Sequence, residues 1–66
     1  MKAATVIKDA QTRRGIPTSE LSRRTGIEYE ALRNALNGNR NITAEEFVNL
    51  CVELELDMED FKGVGQ

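Results

Sequence analysis

Five polar side chains stand close together in the stretch EYEALRNALNG: Tyr29, Glu30, Arg33, Asn34 and Asn37. At ~100° per residue along a helix they share an arc of about 140°, while Ala31, Leu32, Ala35 and Leu36 fill the opposite arc. Hydroxyl, carboxylate, guanidinium and carboxamide tips donate or accept hydrogen bonds, so the chemistry open to this set is directional contact with another polar surface. A face that merely meets water has the same polar character, so the face alone names no ligand. Covalent chemistry lacks its parts. The chain has no His, its single Cys51 sits at core spacing, and no Gly-rich phosphate loop occurs. Glu45 and Glu46 suit a helix start better than an acid–base pair. No enzyme activity, no cofactor and no metal is expected, since no Cys/His cluster offers ligand spacing.

The elements that must position this face can be read on either side of it. A first helix is predicted from Lys2 to Arg14, with Ala3, Val6, Ile7 and Ala10 at helical spacing and Gly15 just past its end. A second starts at PTSE: Pro17 fits a first turn, Thr18 or Ser19 can cap it, and Glu20 suits the positive end of the dipole. It runs to Arg24 or Thr25 with Leu21 as its apolar anchor and small Ser22 permitting close approach of another backbone. Gly26 then allows a sharp turn into the third helix, Glu28 to Asn37, which Gly38 ends. TAEE from Thr43 is a capping box, Thr-x-x-Glu, opening a fourth helix. Phe47, Leu50, Cys51 and Leu54 form its core stripe, with Val48, Val52 and Leu56 widening it. Asp57 caps a last short turn, MEDF, that points Met58 and Phe61 inward. The fold class is therefore all-α: five short helices and no strand. All 66 residues form a single domain with a minimal core and a flexible tail over 62–66.

The net charge of −2 hides an uneven distribution. Residues 1–40 carry eight basic against four acidic side chains, a balance of +4, whereas residues 41–66 carry Lys62 against seven acids, a balance of −6. Since surface fields decay within about 8–10 Å in physiological salt, the basic part can meet an anion whatever the total. No apolar run approaches the ~20 residues of a membrane span, and the first residues lack a secretory h-region, so a cytoplasmic location is expected.

Two short helices joined across a Gly-containing turn of three or four residues form the arrangement of a helix-turn-helix. Over GIPTSELSRRTGIEYEALRNALNGNRNITAEEFVNLCVELELDMEDF the chain resembles the Cro and phage-repressor helix-turn-helix family, also called XRE-like. The resemblance is carried by Gly15-Ile16, Leu21, Gly26-Ile27, Leu32, the Asn37-Gly38 turn and a closing helix with Phe47, Leu50 and Leu54. It implies a compact five-helix, lambda-repressor-like domain, with the helix-turn-helix at about 17–37, that lays its third helix in the major groove of double-stranded DNA. Such proteins usually act as homodimers on operators with two half-sites.

By the same resemblance, Tyr29 and Glu30 match the first base-reading positions and Arg33 and Asn34 those one turn further along. Asn can pair with adenine, Arg with guanine, and Glu can accept from the amino group of cytosine. Thr18 stands where the family usually has a Gln that touches the DNA backbone, and Asn37, Asn39 and Arg40 occupy the turn after the reading helix, another backbone-holding place.

Two departures stand out. Glu28 caps the reading helix where relatives often place a small hydroxyl, and its charge repels phosphate. Gln11 and Leu36 replace an Arg–Glu ion pair common in relatives, leaving apolar packing to serve instead. The reading that follows is a sequence-specific DNA-binding regulator, a phage or bacterial repressor. The alternative from another class is a protein-interaction module, antitoxin- or antirepressor-like, that binds a basic protein partner through the acidic region from Glu45 to Asp60.

Overall fold

Val6, Ile7 and Ala10 are buried together on one side of the first helix, α1, Ala3–Arg14, as their spacing requires. The computed structural model describes residues 3–64, so the expected start at Lys2 and the last two tail positions, Gly65 and Gln66, lie outside the described residues. After α1 come α2, Thr18–Thr25; α3, Tyr29–Leu36; and α4, Ala44–Leu54. A single 3-10 turn, Met58–Phe61, follows. The all-α class stands, with no strand among the described residues, but the fifth helix is this one tight turn and not an α-helix. Among the same residues no helix is long and apolar enough to cross a membrane.

Local rules account for most boundaries. Thr43 Oγ1 accepts from the Glu46 amide while the Glu46 carboxylate accepts from the Thr43 amide, the reciprocal box expected of TAEE. Asp57 caps the 3-10 turn through the Glu59 amide. The start of α2 differs from expectation: Pro17 is its N-cap, and neither Thr18 nor Ser19 supplies a side-chain cap. The Thr18 hydroxyl is held by Gln11 instead. At the end of α4 the carbonyls of Cys51 and Val52 are taken by the amides of Leu56 and Glu55. Glu55 achieves this with φ 54°, the one left-handed non-glycine among the described residues.

The core draws on every helix. Ile7, Leu21, Leu32, Leu50 and Leu54 are its largest fully buried side chains, each stabilising by roughly 1.5–3 kcal/mol on the scale of apolar transfer. Phe61 is buried beneath them, its ring 4.9 Å from that of Phe47 and tilted by 58°. Three expected core residues are outside it: Val48 is 57% exposed, Val52 67% and Met58 78%. A helix covered from one side buries only a stripe, and the widening positions of α4 fall beyond it. Phe61 fills the space at the 3-10 turn and leaves Met58 in solvent. Val64, in the expected tail, packs half-buried against the core.

Candidate nucleic-acid interface

The turn between α2 and α3 is built from one glycine and two hydroxyls. Gly26 adopts φ 77°, and its amide donates to the Ser22 carbonyl at 2.9 Å, closing α2. Ser22 Oγ then donates to the carbonyl of Ile27. Thr25 Oγ1 donates to the Leu21 carbonyl at 2.8 Å and accepts from the Ile27 amide at 3.3 Å. Ile27 itself is buried, so the turn is fixed by packing as well as by bonds. Glu28 follows as N-cap of α3, its Oε1 accepting from the Ala31 amide at 2.9 Å.

From this base α3 presents two unlike sides. Leu32, Ala35 and Leu36 are buried, while Tyr29, Glu30 and Arg33 are exposed and Asn34 is half-buried on the outer side. Arg33 Nη2 donates to Glu30 Oε2 at 3.1 Å, and this hydrogen-bonded carboxylate raises the guanidinium above its ordinary value. The outer face thus presents a neutralised acid–base pair beside a phenol and a carboxamide.

The four positions matched to backbone contacts divide. Asn37 and Asn39 are exposed just past α3, where the Asn39 amide donates to the Asn34 carbonyl at 2.8 Å. Lys8 Nζ donates to Asn37 Oδ1 at 3.3 Å. Thr18 Oγ1 accepts from Gln11 Nε2 at 2.9 Å. Lys8 and Gln11, one turn apart on α1, therefore join the end of α3 to the start of α2. They also line a shallow recess with Thr18. Helical spacing alone places neither of them at this edge. The available signal was Gln11 itself, a carboxamide one residue beyond Ala10 on the buried side, which needs a partner. Of the two positions where the family's ion pair is missing, Leu36 packs in the core and Gln11 adds this hydrogen bond.

Arg40 goes elsewhere. Its side chain turns inward and all three nitrogens donate: Nε to the Ala31 carbonyl at 2.8 Å, Nη1 to the Asn41 carbonyl at 2.8 Å, and Nη1 and Nη2 to the two Glu46 carboxylate oxygens at 3.0 and 3.1 Å. This guanidinium, then the Thr43 amide, hold the Glu46 carboxyl below its ordinary value. The remaining basic side chains are engaged mostly at the surface. Arg24 and Arg23 share Glu20 and lower its carboxyl, Arg14 meets Glu55 at 3.3 Å, and Arg13 is exposed.

A family model described as the Cro/C1-type helix-turn-helix DNA-binding domain matches residues 10–63. No curated protein and no solved structure matches the chain. With that match running from the last turns of α1 through the 3-10 turn, the chain belongs to the Cro/C1-type helix-turn-helix DNA-binding family.

Proposed function

We propose that this chain is a sequence-specific transcription regulator of the repressor type, which enters the DNA major groove with the outer side of α3. The observation that carries this reading is that α3 buries Leu32, Ala35 and Leu36 while Tyr29, Glu30 and Arg33 project uncovered from a turn stapled by its own hydroxyls. In that pose Tyr29, Glu30, Arg33 and Asn34 face base edges. Thr18, Asn37 and Asn39 set the register on the backbone, with Lys8 beside them supplying the cation. Two copies on a two-half-site operator would place their reading helices about 34–36 Å apart.

The test is selection of duplexes from a randomised pool, followed by titration of the enriched sequence and a scrambled one across a salt series. A preference of about 10³-fold or more, weakening steeply with salt, is expected. Arg33→Ala and Asn34→Ala should each relax the preference at particular base pairs by about tenfold. Sequence-indifferent, feeble binding even at low salt would sink the proposal. That result would favour the second reading, a protein-interaction module. Its supporting observation is the ridge of Val48 and Val52, 57% and 67% exposed among the acids of α4.

A further inference from the structure

We infer that Arg40 is a positioning residue that sets the roll of α3 in the groove, and not a phosphate contact. This rests on the reading of α3 given above. Every nitrogen of the side chain is engaged within the protein. Nε reaches back nine positions to the Ala31 carbonyl, in the first turn of α3 and next to Glu30. The other two nitrogens grip both oxygens of Glu46, in the first turn of α4, as a bidentate fork. Glu46 is fixed in turn by the Thr43 box. One planar group therefore ties the start of the reading helix to the start of the helix behind it, across a connection of seven residues, 37–43.

The geometry matters because α3 has only eight residues, and its buried face rests on small Ala35 as well as Leu32 and Leu36. Apolar packing is non-directional and resists rotation about the helix axis weakly, whereas hydrogen bonds at fixed angles resist it well. Recognition of base edges tolerates errors of only about 0.5 Å or 10–20°. A guanidinium also has a rigid fork that an ammonium lacks, so this place calls for Arg and not simply for positive charge. Glu46 bears half of the arrangement while lying on α4, outside the helix assigned to the groove.

Two substitutions separate the clamp from a phosphate contact. Arg40→Lys keeps the charge and loses the fork. Glu46→Gln keeps an acceptor for the capping box but loses the ion pair, leaving Arg40 its backbone acceptors at Ala31 and Asn41. Both variants, checked by circular dichroism to be folded at the assay temperature, are titrated on the duplex that the wild-type protein enriches from a randomised pool and on a scrambled duplex, over a salt series. Each should lower the ratio of the two affinities by about three- to tenfold with an unchanged salt slope, because selectivity is lost and no phosphate contact is. The inference is overturned if Arg40→Lys keeps the wild-type ratio, or if Glu46→Gln tightens binding to both duplexes and steepens the slope, as a freed guanidinium would. A wild-type protein that enriches no sequence overturns the reading of α3, and the inference with it.

Discussion

The two connections at the ends of α3 are made in opposite ways. Between α2 and α3 lie three residues, 26–28, held by a left-handed glycine, the Ser22 and Thr25 hydroxyls and a buried Ile27. Between α3 and α4 lie seven residues, 37–43, which begin with a left-handed Gly38 and the Asn39 amide on the Asn34 carbonyl but close onto α4 through one ion pair whose members are six positions apart. The shorter connection keeps every partner within a few positions, where short side chains and backbone suffice. The longer one has more closure entropy to overcome and must still reach α4, so a long side chain with several donors spans the gap. One junction is consequently held by local contacts, with the Glu28 cap as its only charge, and the other by an ion pair between distant positions, so the packing of the first and the pair of the second should answer differently to acid.

The largest effect tests the packing of the shorter junction. Ile27→Ala should destabilise by about 2–4 kcal/mol, read as a lower urea midpoint, and by the same amount at pH 7 and pH 4, because only packing is lost. Gly26→Ala should follow with about 1–2 kcal/mol. Space for the Cβ is open, so its loss comes from the left-handed backbone alone and is again indifferent to pH. Glu46→Gln probes the charged junction and should cost about 1 kcal/mol or less at neutral pH, since the pair is a quarter to a third exposed. Its signature is the pH profile. The folded carboxyl lies below its ordinary value of 4.5, so the stability it adds is present above that value and is lost as pH falls through the lower, folded one. Wild type and Glu46→Gln should converge in urea midpoint as pH is taken down through that lowered value. A gap that stays constant would remove the distinction between the junctions.

Much of this was legible in the sequence for physical reasons. The two-sidedness of α3 follows from helical period, because Leu32, Ala35 and Leu36 cannot face water together. The TAEE box is a local pattern that needs no tertiary knowledge. The junctions show where such reading stops. Gly26 advertises a turn, but which carbonyl takes the Ser22 hydroxyl depends on the path after it. Arg40 in the run NGNRN reads as an exposed loop cation, and its acceptors at Ala31 and Glu46 become neighbours only once α3 and α4 have packed. Val48 and Val52 read as core positions because periodicity gives an apolar direction without saying how wide the covering is. Gln11 and Thr18 illustrate the reverse: both were in view, yet the bond between them required the crossing of α1 and α2.

Glu55, left-handed at the end of α4, leaves the molecule with a reserve. A side chain in that conformation gives up roughly 1–2 kcal/mol that glycine would not, and the exposed carboxylate recovers little of it from Arg14. Greater heat tolerance therefore lies a single substitution away, Glu55→Gly, at a position outside α3 and both of its junctions.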